Sequence, residues 1–116
     1  MGSPTSARKL LAQVQLGNAL ADIYLCPTQP PNGITEVYSL AIANTDTATR
    51  TITLRQGVGT LTAANSLLEA VPIPANTTWI FTGSEVGLIF PFGGHFQGLA
   101  DVAAKVTITL AGAEIL

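Results

Sequence analysis

Apolar and polar residues alternate along most of this chain, in short runs separated by glycine, proline and asparagine. Alternation with a period of two residues is typical of a β-strand with one buried face. The pattern predicts strands over residues 10–16, 19–26, 34–43, 49–55, 77–82, 86–92, 95–100 and 104–115. Eight or nine short strands at a spacing of roughly 8–12 residues indicate an all-β fold, an antiparallel β-sandwich of jelly-roll or immunoglobulin-like type.

The same alternation predicts which side chains face the core. In the third strand it places Leu40 and Ile42 on one face together with Ile34, and Thr35 and Val37 on the opposite face. In the fourth strand Thr51, Thr53 and Arg55 are expected to face outward. The side chains predicted to face inward in the second, fourth and last strands are Leu20, Ile23, Leu25, Ile52, Leu54, Val106, Ile108 and Leu110.

Two segments do not follow the strand pattern. Residues 62–70 predict a short helical turn, because Thr62 or Asn65 can cap it and Pro72 prevents it from continuing. Residues 1–9 are mostly small and polar and predict a flexible N-terminal arm. Residues 10–116 are then expected to form a single domain, since a chain of 116 residues is long enough for one core and too short for two.

The composition narrows the function classes. Hydrophobic residues make up 47% of the chain and charged residues only 10%, which argues against disorder. The net charge is −2 and no basic run is longer than Arg8 and Lys9, so we expect no nucleic-acid partner. No apolar stretch reaches the ~18 residues that a membrane helix needs. Threonine on the outer strand faces accounts for the low charge, and a neutral surface of this kind suits permanent assembly.

Catalytic chemistry finds little support in the residue types. His95 is the only histidine, so it alone could serve a serine–histidine–aspartate triad with Ser84 and Asp101. The chain has no Gly-x-Ser-x-Gly nucleophile motif, and Cys26 is its only cysteine. We therefore expect no enzyme, no metal site and no cofactor, and interpret His95 as a loop or edge-strand residue.

The segment 88–96 allows two interpretations. Three phenylalanines surround Pro91 and two glycines here, which fits either a core strand with a glycine turn or an exposed aromatic loop at an interface. On the second interpretation, together with the basic pair at the end of the arm, the candidate interface residues are Arg8, Lys9, Phe90, Phe92, His95 and Phe96.

Several segments follow one another in a familiar order. They are LAQVQLGNALADIY at 11–24, the strand ending in IANT at 42–45, TRTITL at 49–54, AANSLL at 63–68, IPANT at 73–77, GLA at 98–100 and VTI at 106–108. This order resembles small β-sandwich virion proteins of tailed bacteriophages, which are structural proteins of heads, necks and tails, and it spans residues 10–116. The loop at 27–33 is longer than the Pro-Ala-Gly turn usual in that group.

The resemblance implies a non-enzymatic protein that binds copies of itself and a larger shell or tube. The leading expectation is a capsid decoration (cement) protein in the virion, a homotrimer bound to the major capsid protein, with the arm reaching a neighbour. A tail, neck or fibre component is the alternative within the virion. A carbohydrate-binding module, with Trp79 or Tyr24 stacking on a sugar, is the alternative from another class.

Overall fold

The computed structural model describes residues 9–27, 33–82, 88–91 and 93–115. Within these residues the chain forms nine β-strands and one 3₁₀ turn, Ala63–Asn65. The strands are β1 Lys9–Gln15, β2 Ala21–Leu25, β3 Ile34–Asn44, β4 Arg50–Val58, β5 Ser66–Ile73, β6 Thr77–Thr82, β7 Ile89–Phe90, β8 Gly94–Ala100 and β9 Val106–Ile115. The predicted all-β class is confirmed. Lys9, the last residue of the predicted arm, begins β1, and residues 1–8 lie outside the described residues.

The strands form two antiparallel sheets that pack face to face. The first sheet has the order β1-β9-β3-β6, with β7 beside β3, and the second has the order β2-β8-β4-β5. Strand β1 therefore pairs with β9, β2 with β8, β3 with β6 and β4 with β5. The chain folds back on itself as one long hairpin, and successive strand pairs fall in alternate sheets. This is the strand order of a jelly roll, which decides between the two predicted types of sandwich.

The core lies between the two sheets. Ile42, Ile108 and Leu110 project from the first sheet and meet Ile52 and Leu54 from the second, and all five are almost inaccessible to water. Burying each such side chain contributes about 1.5–3 kcal/mol relative to leaving it exposed. The inward orientation predicted for β4 and β9 is confirmed at these positions.

A bulge in β3 overturns the prediction of its two faces. The register with β9 shifts between Val37 and Ser39, so one extra residue interrupts the alternation. As a result Thr35 and Val37 are buried before the bulge and Leu40 and Ile42 are buried after it. The assignment of these residues to opposite faces was wrong, because a period of two holds only while the register is unbroken.

Irregular pairing in β2 and between β4 and β5 makes two further predictions of side-chain orientation wrong. In β2 the register shifts between Asp22 and Tyr24, so that Ile23 and Tyr24 both enter the core and Leu25 turns outward, 49% exposed. In the second sheet Thr53 was expected to face water but is buried. Its hydroxyl accepts a hydrogen bond of 3.1 Å from the backbone N–H of Ala70, where β5 is irregular.

The predicted helical turn is shorter than expected. Thr62 does cap it, since its hydroxyl accepts from the N–H of Ala64 and its own N–H donates to the side chain of Asn65. The chain then continues as β5 at the edge of the second sheet. Pro72 is tolerated in that strand because a residue on the free side of an edge strand does not need to donate a backbone N–H to a neighbouring strand. Ala70 adopts a positive φ of 51°, which is incompatible with a continuing helix.

Candidate functional site

The outer face of the second sheet carries polar and charged side chains that pair with one another. Asp22 lies opposite Gln97, and Gln97 lies opposite Arg55 on the next strand. One carboxylate oxygen of Asp22 accepts from Gln97 Nε2 at 2.8 Å and is 2.9 Å from His95 Nδ1. Arg55 forms an ion pair of 3.6 Å with Glu69 on β5. This face is therefore polar, and its charges are locally balanced.

The hydrogen bonds around Asp22 keep it ionised. Burial acts to raise the pKa of this carboxyl, but the hydrogen bonds from Gln97 and His95 together outweigh burial and hold the pKa below its usual value. A carboxylate that fixes a histidine ring can form part of a catalytic triad only if a nucleophile lies on the other side of the ring. Among the described residues no hydroxyl or thiol is hydrogen-bonded to His95, so this cluster orients side chains without an evident reacting group.

The triad considered from the sequence is not assembled. Asp101 follows the end of β8, where it accepts from the N–H of Thr51 at 3.2 Å and lies 3.6 Å from Arg50. His95 is six residues away along an extended strand, a separation of about 20 Å. Ser84 lies outside the described residues. In the part of the chain that the structure describes, no three His, Cys, Asp or Glu side chains cluster closely enough to hold a metal ion.

The described phenylalanines of the aromatic segment agree with the first of its two interpretations, a core strand, and not with an exposed interface loop. Phe90 and Phe96 have no accessible surface, and their ring centres lie 5.6 Å apart in the core. In β8 the buried residues Phe96 and Ala100 alternate with half-exposed His95 and Gln97, so the phenylalanine belongs to the inner face. Phe90 and Phe96 are therefore core residues and not interface residues. Phe92 and Arg8 lie outside the described residues.

A hydrogen-bonded network joins the two sheets near the start of β1. The Tyr24 hydroxyl donates to Glu114 and lies 2.8 Å from the hydroxyl of Thr35. The other Glu114 oxygen pairs with the half-exposed Lys9 at 2.5 Å, and the hydroxyl of Thr35 lies 3.3 Å from Cys26 Sγ. Burial, and then the contact with Glu114, raises the pKa of Tyr24. Tyr24 is thus a buried core residue, and its ring is not accessible for stacking on a sugar.

The outer face of the first sheet contains three successive cross-strand rows without a charged residue, and Glu36 of β3 lies on the same face beyond them. We call the twelve residues of the three rows the neutral face: Leu10, Gln13, Gln15, Ser39, Ala41, Ala43, Thr78, Ile80, Thr82, Thr107, Thr109 and Ala111. The rows between them point inward and contain Ile42, Ile108 and Leu110. On the neutral face the most exposed apolar side chains are Leu10, 60% exposed, and Ile80, 63% exposed.

The neutral face ends at β6, the last strand of the first sheet. A shallow depression follows this edge and is lined by Thr78, Trp79, Ile80 and Phe81. Trp79 is half-buried and packs on the core, whereas Ile80 points to the opposite side and is exposed. The edge therefore offers apolar surface beside an open strand backbone.

Comparisons with models of known protein families, with curated protein sequences and with solved structures found no match. Within the described ranges, no helix has the length and hydropathy needed to span a bilayer. The functional argument therefore depends on the surfaces themselves. The sequence alone indicated neutral, threonine-rich outer faces. It could not indicate that three adjacent rows of the first sheet would contain no charge while charged residues line the outer face of the second sheet.

Proposed function

We propose that this chain is a non-enzymatic structural protein that works by assembly, as a capsid decoration (cement) protein of a tailed bacteriophage. The observation that carries the proposal is the neutral face. Removing a charged side chain from water costs far more than removing threonine, alanine or glutamine, so a face without charges can be covered by a protein partner at little cost. A surface meant to stay free usually carries interspersed charges that oppose association.

Two further considerations support assembly on a virion. The order of segments along the chain resembles that of small phage virion proteins, as described above. The jelly-roll strand order is also used by viral capsid proteins, although lectins and cupins share it, so the fold adds to the proposal without carrying it. The polar cluster around Asp22 and His95 requires no other function, because its charges are paired with one another.

The number of copies per particle distinguishes the two possible locations of the protein, on the shell or on the tail, neck or fibre. A decoration protein that covers the shell, as the proposed homotrimer bound to the major capsid protein, is present in hundreds of copies. A tail, neck or fibre component is present in a few to dozens. Residues 1–8, which would reach a neighbouring subunit in this proposal, lie outside the described residues.

Binding to particles that lack the protein tests the proposal. Purified wild-type chain is mixed with such particles, and the bound copies are counted by quantitative mass spectrometry. Ala43→Lys places a charge within the neutral face, on the inner strand β3, and is expected to abolish binding. Val58→Lys is the matched control, because Val58 is 65% exposed at the end of β4 in the other sheet, and it is expected to bind like the wild type. Failure of the wild-type chain to bind, or equal binding by Ala43→Lys, would contradict the proposal.

A further inference from the structure

The strands at the two ends of each sheet, β1, β6, β2 and β5, differ in how they are protected from pairing with another strand. Natural edges are protected by charged residues, by proline and by bulges that bend the strand. Strand β1 begins with Lys9 and has a register shift after Leu10. Strand β2 carries Asp22 beside a shift. Strand β5 contains Glu69 and Pro72, and its register with β4 shifts twice.

Strand β6 has none of these features. Its sequence, TTWIFT, contains no charged residue and no proline. Its register with β3 runs from Thr77 to Thr82 without a shift, so the strand is regular along its whole length. Every second residue of a regular edge strand directs its backbone N–H and C=O away from the sheet, where they can pair with an added strand. Among the edges that the structure describes, β6 is the one suited to accept a strand.

The sequence of β6 is complementary to itself in an antiparallel arrangement. Directly opposite residues in such a pair lie on the same face, so a two-fold axis must pass through a residue and not between two residues. With the axis at Ile80, this residue meets its own copy. Thr78 then meets Thr82 of the second copy on the neutral face, and Trp79 meets Phe81 of the second copy on the inner side. Threonine pairs and aromatic pairs of this kind each stabilise a sheet by about 0.2–1 kcal/mol.

The alternative axis at Trp79 matches the strand less well. It would place Thr77 opposite Phe81 of the second copy and Thr78 opposite Ile80 of the second copy, so that polar side chains face apolar ones. Because β6 contains no charged residue, it has no means of selecting a partner strand of opposite charge. Of the two axes, the one at Ile80 therefore gives the better match between opposite side chains.

We propose that β6 is a homotypic pairing edge, at which two copies of this chain join antiparallel about Ile80 into one continuous sheet. The two neutral faces then form a single wide surface. The role of this surface depends on the proposed assembly function. A two-fold contact produces pairs, whereas a trimer requires a head-to-tail contact that uses two different surfaces. The number of copies in solution thus separates this contact from the trimer proposed for the particle.

The test compares the self-association of three variants with that of the wild type by sedimentation equilibrium and native mass spectrometry. Ile80→Lys and Ile80→Glu place like charges opposite each other at the axis. Ile80 is 63% exposed, so both variants are expected to retain the wild-type fold, which thermal unfolding verifies. Val58→Lys introduces the same charge at a site of similar exposure, 65%, away from β6.

The wild type and Val58→Lys are expected to form dimers with the same affinity. Each Ile80 variant alone is expected to raise the dimer dissociation constant about tenfold or more, and an equal mixture of the two is expected to restore mixed pairs. A monomeric wild type, or an Ile80→Lys variant that associates as tightly as the wild type, would overturn the pairing. A trimer unaffected by Ile80→Lys would also overturn it while leaving the proposed assembly function standing.

Discussion

The hydroxyl oxygens of Tyr24 and Thr35 lie 2.8 Å apart and join the two sheets in the interior of the sandwich. Tyr24 comes from β2 in the second sheet and Thr35 from β3 in the first, and Thr35 is completely buried. The contact continues outward through Glu114 to Lys9. A buried polar network of this kind fixes how the two sheets sit on each other, because each of its groups loses a partner if the sheets slide.

Tyr24→Phe is expected to lower the free energy of unfolding by about 1–3 kcal/mol, because it removes a hydroxyl that contacts the buried Thr35 and the partly buried Glu114. Urea unfolding followed by Trp79 fluorescence measures the loss. Thr45→Val is the control, since the Thr45 hydroxyl donates to the carbonyl of Lys105 at 3.2 Å from an exposed position. An equal loss in both variants would contradict the role assigned to the network.

Stability is expected to fall in acid partly through Glu114. Burial acts to raise the pKa of this carboxyl, but hydrogen bonds from Lys9 and Tyr24 outweigh burial and hold the pKa below its ordinary value of 4.5. The unfolded chain therefore takes up this proton first as the pH falls. The contribution of Glu114 is complete above the unfolded-state pKa and is lost as the pH falls through the lowered folded-state pKa.

Glu114→Gln cannot titrate, so its unfolding free energy is expected to fall less than that of the wild type as the pH is lowered from about 6 to 3. Urea unfolding at a series of pH values gives both curves. Asp22, whose pKa is also lowered, keeps its share of the acid dependence in both proteins. Parallel curves for the two proteins would show that Glu114 has no such role.

Gly112→Ala is expected to destabilise the fold by about 3 kcal/mol or more, or to prevent folding. Gly112 lies opposite Val37 at the bulge of β3, and a Cβ atom at this position would overlap the backbone carbonyl of Glu36. Backbone cannot move aside as a flexible side chain can. Gly17→Ala is the matched control, because a Cβ there meets nothing within 4 Å. Thermal unfolding that ranks the two variants equally would refute the tight approach of β3 and β9.

The sequence predicts most strands of this fold, but it predicts their faces only in part. Regular alternation correctly identifies the inner side of β9, where Val106, Ile108 and Leu110 are buried. It fails in β3 and β2 because each bulge shifts the phase of the alternation by one residue. A bulge depends on the partner strand, which for β3 is distant in the sequence, so a local pattern does not reveal it.

The sites show the same division between local and distant information. The burial of Phe96 follows from its alternation with His95 and Gln97 in β8, a signal that was present in the sequence. The contact of His95 with Asp22 joins residues 73 positions apart, and no spacing rule predicts it. The neutral face likewise exists only because the strand order places four uncharged segments side by side.

Phe96→Ala is expected to lower the free energy of unfolding by about 3–5 kcal/mol, because it leaves a cavity beside Phe90 in the core. His95→Ala, at the next position but on the outer face, is expected to cost less than about 1 kcal/mol, since it removes only a solvent-accessible pair with Asp22. Chemical unfolding of the two variants provides the comparison. A small effect of Phe96→Ala, accompanied by loss of self-association, would restore Phe96 to the interface.

The central claim is that this chain functions by assembly through the first sheet and its β6 edge. Hydrogen–deuterium exchange measured over a range of protein concentrations tests it most directly. In a single copy, the outward N–H groups of Thr77–Thr82 exchange rapidly, and pairing with a second strand slows them. We predict that protection of these amides rises with concentration, while that of the bulged edge β5 does not. Exchange at β6 that is independent of concentration would contradict the claim.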